Sequence, residues 1–276
     1  MAFKYLQLNF IQLNRRFVGF RNTPLLWEDT LESLIMYKTD DPSSTDCPKI
    51  DSKPRIRLGK LVEKFILHDL DQNTSIEILR SNIQIFQDQI TIGELDALIK
   101  QLEEYIHLEI VYKFYLYDPS ISTELNRWIG PNRNDSLIQK LHKLKEKQLP
   151  LLYRPETANI LNELHIKVAD VTQRLYFKAQ LFVPIDSLET SFPFINNNCV
   201  KGFYIRKKNL SFFENHRFYI PAKLDWLIEP HLGVAWISKP NFEVSASKFL
   251  NDGKSPLCWI QSPEGNLKKF FIVWWD

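Results

Sequence analysis

The stretch TIGELDALIKQLEEYIHLEIVYKFYLY, residues 91–117, decides the reading of this chain. From Ile106 to Tyr117 it is dense in β-branched and aromatic residues, the composition of a strand packed on both sides. Gln89 to Ile99 alternates as a second strand. The connection at 100–105 is too short for a parallel crossover, so the spacing predicts neighbouring antiparallel strands. Alternation puts Glu94 and Asp96 on one face of the first strand, and His107, Glu109, Val111 and Lys113 on one face of the second. An unpaired charge inside an apolar strand costs several kcal/mol, so such groups are paired, metal-bound or at an edge. In the antiparallel arrangement Asp96 can meet the 107–113 face, and carboxylates converge with a lysine. Carboxylate oxygens suit Mg²⁺ or Mn²⁺. Such a metal polarises a phosphoryl oxygen and activates water, and a lysine steadies the developing charge.

Upstream, Leu58, Leu61, Val62, Phe65 and Ile66 form an apolar stripe that predicts a helix from about Arg57 to Asp71, with Glu63 beside the stripe. Ile76–Leu79 and Ile83–Phe86 read as short strands separated by Ser-Asn and Asp-Gln turns. Residues 38–54 are polar and proline-bearing and read as an exposed linker. Residues 3–36 have roughly helical spacing, with Phe17, Phe20, Leu25 and Leu26 on one side and Thr30 as a cap.

Downstream, Gly130-Pro131-Asn132 punctuates the chain. A helix is expected from Asp135 to Gln148, with Leu137, Leu141 and Leu144 on its inner stripe and Gln148 one turn further. A shorter helix is expected at 155–165. The region around it is basic, and Arg133, Lys140 and Lys143 are the candidate phosphate contacts. From Val168 onward aromatic-rich strands are expected at LYFKAQLFVPI, GFYIRKK, RFYIPAKLDWLI, GVAWI and KKFFIVWW, a tail that is mostly β.

The order of helix, strand, strand and helix resembles the PD-(D/E)XK nuclease fold, in which a helix gives a Glu, one strand an Asp, and the next an acid and a Lys. GELDALI is similar to its Gly-Glu-Ile-Asp signature, and RLGKLVEKF to its first helix. RLGKLVEKF (57–65), TIGELDALI (91–99), HLEIVYKFYL (107–116) and GPNRNDSLIQKLHKLKEKQL (130–149) more closely resemble a bacterial family, domain of unknown function 1853, itself placed near that superfamily. The resemblance implies Asp96 and Glu109 as metal ligands for Mg²⁺ or Mn²⁺, with Glu63, Lys113 and Gln148 as catalytic residues. It implies DNA or RNA as substrate. One departure is plain: the superfamily acid stands two residues before the lysine, where this chain has Val111. Glu109 stands four residues before, about 13 Å rather than about 7 Å along a strand.

Composition bounds these readings. Apolar residues make up 44% and charged residues 25%, which excludes wholesale disorder. Net charge is +2, so no global field demands a polyanionic partner. Cys47, Cys199 and Cys258 are widely spaced, which excludes a CxxC zinc site and argues against a disulfide framework. No secretory leader and no apolar run near the ~20 residues of a membrane span is present, so a cytoplasmic protein is expected. The expected fold is α/β (mixed α+β). A helical lead and linker (1–56) precedes a restriction-endonuclease-like core (57–165), a mixed sheet flanked by helices. A β-rich C-terminal region (166–276) completes it. The expected function is metal-dependent phosphodiester hydrolysis. The alternative is an inactive nuclease-fold protein that binds nucleic acid or a partner protein.

Overall fold

A computed structural model describes residues 2–39, 46–50 and 56–275. Most of the expected linker lies outside the described residues. The protein is mixed α+β, and its contacts divide it into two units that interleave in sequence. The first holds residues 1–24, 113–138 and 179–276, and the second holds 25–112 and 139–178.

The second unit begins with two short strands, β1 (Thr30–Leu31) and β2 (Leu34–Ile35), paired as a small hairpin. Helix α2 (Leu58–Asp71) follows and buries Leu61, Val62, Phe65, Ile66 and Leu70, the stripe its spacing dictates. Strands β3 (Ile76–Gln87), β4 (Ile90–Gln101) and the start of β5 (Glu104–Tyr117) form an antiparallel run. The β4–β5 pairing, Ala97 with Leu108 through Gln101 with Glu104, is the one the alternation demands. The Ser81-Asn82 turn is corrected: β3 is continuous there, with Ser81 opposite Ala97 and Ile83 opposite Leu95. Asn82 has a left-handed φ of 56°, a conformation asparagine tolerates, within that continuous register.

Helix α3 (Leu137–Lys143) begins in the first unit and ends in the second. It widens into a π-helical turn at Leu144–Gln148 and tightens into a 3₁₀ turn at Leu149–Tyr153. Helix α4 (Pro155–Glu163) follows. Leu151, Leu152 and Leu161 pack with Ile83, Ile85, Leu95 and Leu98 to form the core of this unit. Gly93 is needed here, because a Cβ would meet Leu151 Cδ2 at 2.6 Å.

In the first unit, helix α1 (Ala2–Arg21) stops well before residue 36; Thr30, in the second unit, lies in β1 rather than at a helix cap. Strand β6 (Trp128–Ile129) pairs with the end of β5. The end of β7 (Val171–Pro184) pairs parallel with β8 (Val200–Arg206), which pairs parallel with a strand at Leu267–Val273. Chain order between them gives β9 (Arg217–Tyr219), β10 (Ile237–Ser238) and β11 (Leu257–Gln261), so the Leu267–Val273 strand is β12. These pair antiparallel as β12-β11-β9-β10, making the sheet mixed.

The tail is mostly β as expected, but one expected strand is cut short and one helix was not foreseen. Lys223–Leu227 is a 3₁₀ turn, and Lys239–Asn251 is a helix, α5, that buries Phe242 and Ala246. Phe203, Phe218, Phe242 and Phe270 form the core of this unit. Among the described residues no helix is long and apolar enough to cross a membrane.

Candidate functional site

The β4–β5 ladder ends at Ala97–Leu108. One step further, the Ile110 N–H donates to Asp96 Oδ2 at 2.8 Å, so a side chain stands where a backbone carbonyl would be expected. Asp96 Oδ1 makes no hydrogen bond to any described residue. Burial lifts the Asp96 carboxyl, the charges of Glu109 and Glu63 lift it further, and the Ile110 N–H and Lys140 oppose them. The result is a pKa pushed up to about 7.

Glu109 is fully buried on β5. Its Oε1 lies 3.1 Å from His107 Nε2, and its Oε2 accepts from Gln148 Nε2 at 2.5 Å. Gln148 in turn accepts from Lys140 Nζ at 2.6 Å through its Oε1. In the π-turn the Leu149 N–H donates to Leu144 C=O, five residues back, and Gln148 closes this turn. Such turns recur at functional sites because they re-aim a side chain. His107 Nδ1 lies 2.9 Å from Gln173 Nε2, which also donates to Leu149 C=O at 2.7 Å.

Glu63 is buried on α2 and pairs with Lys60 at 2.9 Å. Lys60 also reaches Glu94 at 2.8 Å and Asn82 Oδ1 at 2.6 Å. Burial works against the Lys60 ammonium, but its bonds to Glu94 and Glu63 outweigh that and hold its pKa above the usual value.

Glu63, Asp96, Glu109, Lys140 and Gln148 thus gather in the second unit. The remaining sequence candidates have other surroundings. Lys113 pairs with Asp135 at 2.6 Å in the first unit. Arg133 pairs with Asp118 at 2.9 Å and lies 4.7 Å from the centre of the Trp275 ring. The Pro131 carbonyl accepts from Trp275 Nε1 and the Asn132 side chain accepts from the Ser255 N–H, so this turn is tied to the C-terminal strands of its unit. Lys143 is exposed. His107 and Gln173 were not among the sequence candidates. The signal for His107 was its two-residue spacing from Glu109, whereas Gln173 lies 66 residues away and left no local signal.

Among the described residues no three His, Cys, Asp or Glu side chains are grouped closely enough to hold a metal ion. The donor set fits a Mg²⁺-type cation in chemistry, because such ions are commonly held by one or two carboxylates with waters and substrate phosphate completing the shell. The open Oδ1 of Asp96, in a carboxyl crowded by Glu109 and Glu63, is the observation that makes the fit.

Fold and site define a mixed α+β protein with a carboxylate pair, Glu109 fully buried and Asp96 partly buried. The family model for the domain of unknown function DUF1853 matches residues 20–273, and the chain belongs to that family. No curated protein and no solved structure matches the chain.

Proposed function

We propose that the second unit is a PD-(D/E)XK-like nuclease core and that the protein is a divalent-metal-dependent phosphodiesterase acting on DNA or RNA. The observation that carries this reading is the Asp96 carboxyl, lifted to about 7 by burial and by its acidic neighbours and left with an open oxygen. Repulsion of this kind is relieved by a cation. Asp96 and Glu109 would hold Mg²⁺ or Mn²⁺, with Glu63 adding negative charge behind them. A bound cation supplies charge stabilisation at a phosphoryl oxygen and lowers the pKa of its water.

The chain's own residues do the rest. Gln148 fixes the Glu109 carboxylate with one end of its amide and the Lys140 ammonium with the other. Lys140 is a cation whose charge reaches Asp96, and it offers fixed positive charge to a phosphate drawn to the pair. Lys143 extends that charge along the exposed face of α3. The second reading, an inactive relative that binds nucleic acid or a partner protein, is favoured by one observation. The lysine that the family pattern makes catalytic, Lys113, has its ammonium committed to Asp135.

The test is direct. Wild-type protein should bind Mn²⁺ and cleave at least one form of nucleic acid, and EDTA should stop cleavage. Asp96→Asn should lose metal binding and at least about 10²-fold in rate while staying folded. Lys140→Ala with Lys143→Ala should weaken nucleic-acid binding and flatten its salt dependence, by about one unit of slope for each phosphate that is no longer neutralised. Metal-independent, salt-sensitive binding without cleavage would establish the second reading.

A further inference from the structure

A histidine with no exposure needs a partner at each ring nitrogen, and His107 has them. The orientation of that ring is set from outside. The Leu149 carbonyl can only accept, so the Gln173 amide presents its nitrogen to it, at 2.7 Å. The same nitrogen lies 2.9 Å from His107 Nδ1. One of its N–H groups is spent on Leu149, and the other points a proton at Nδ1. Nδ1 must therefore carry a lone pair, since an Nδ1–H would set donor against donor. The ring proton then sits on Nε2, which faces Glu109 Oε1 at 3.1 Å. Glu109 Oε2 is held by another neutral donor, the Gln148 amide.

We propose that His107 and Gln173 are positioning residues for Glu109: a carbonyl orients an amide, the amide selects the ring tautomer, and the ring holds the carboxylate. This inference rests on the nuclease reading of the site, because it assigns the purpose of holding Glu109. Two hydrogen-bond donors, one on each oxygen, fix the Glu109 carboxylate in place. A lysine or arginine in the place of His107 would satisfy the same oxygen and neutralise it. The arrangement therefore keeps Glu109 buried and aimed as a ligand for a cation shared with Asp96. Outer-shell groups of this kind typically change metal affinity by 10–100-fold when removed.

The experiment uses Mn²⁺ alone as the probe, with the free ion followed by electron paramagnetic resonance, on the full chain. His107→Leu removes the donor at similar volume, and His107→Gln restores an N–H near the position of Nε2. The expected result is affinity lowered by about 10–100-fold in His107→Leu and returned to within a few-fold of wild type in His107→Gln. Imidazole ¹⁵N shifts of the metal-free wild type provide a second readout that does not depend on any variant folding. The ring proton of His107 should sit on Nε2 rather than Nδ1, and Gln173→Leu should abolish that preference. Equal Mn²⁺ affinity in wild type and His107→Leu would overturn this inference and leave the nuclease reading standing. An Nδ1–H tautomer in the wild type would also overturn it. Wild-type protein that binds no Mn²⁺ would overturn the nuclease reading and the positioning role together.

Discussion

Each unit draws a charge wholly or partly out of water, Lys269 in the first and Asp96 in the second, and the two are treated in opposite ways. In the first unit the Lys269 ammonium has no exposure and meets three acceptors: Gln180 Oε1 at 3.0 Å, Glu229 Oε1 at 3.2 Å and the Trp226 carbonyl at 3.3 Å. An ammonium has three N–H groups, so this site is complete. In the second unit Asp96 has one donor, an open oxygen and two carboxylate neighbours that raise its pKa. A buried charge whose bonding capacity is filled is part of the scaffold. A buried charge left with unrelieved repulsion is the place to look for chemistry.

The comparison is most severely tested at Lys269. Lys269→Met should destabilise the protein by about 3–5 kcal/mol, because it removes the three buried hydrogen bonds of the ammonium and its pair with Glu229. Urea unfolding measures it, and a loss below about 1 kcal/mol would mean that the site is not closed as described.

The opposite sign is expected at Asp96. Its folded pKa, about 7, lies above the ordinary carboxyl value of 3.8, so the folded state binds the extra proton between those values. Stability from this group is fully present below the unfolded pKa and is lost as pH rises through the folded one. Asp96→Asn removes that loss. The variant should therefore be more stable than wild type at about pH 8, by on the order of 1–3 kcal/mol, and nearly equal at about pH 4. Thermal melts across pH measure the crossover. A variant that is less stable at both ends would show that Asp96 is as well satisfied as Lys269. Mn²⁺ should narrow the gap at high pH by stabilising the wild type alone.

Lys113 makes the smallest prediction. Its pair with Asp135 is about half exposed, so Lys113→Met should cost no more than about 1 kcal/mol, and raised salt should shrink the difference. A larger cost would place Lys113 among the closed, structural charges.

Much of the second unit was legible in the chain. The stripe of α2 and the alternation of β4 and β5 are strong local patterns, and they carried Glu63, Asp96 and Glu109 with them. What was hidden depended on distance. His107 gains its role from Gln173, 66 residues away, and the Lys113 ammonium meets Asp135 across an intervening loop. Helix α5 was missed because Phe242 and Ala246 are its buried residues while Val244 and Phe249 stay exposed, so no wide apolar stripe marks it. Ser81-Asn82 has turn chemistry but lies opposite β4, whose ladder keeps the strand extended. In both cases tertiary packing outweighed local preference.

The wide turn at 144–148 gives this part of the chain an unusual response to length. It holds one residue more than an α-helical turn needs, as the bond from Leu149 back to Leu144 records. Deleting one residue from a regular helix ordinarily misaligns every side chain beyond the cut. Here the same deletion would allow the turn to close into ordinary α geometry, a locally comfortable result. It would also remove the wide turn that carries Gln148 to Glu109. The extra residue is therefore a spacer in the reading frame of the helix, one that trades regularity for aim.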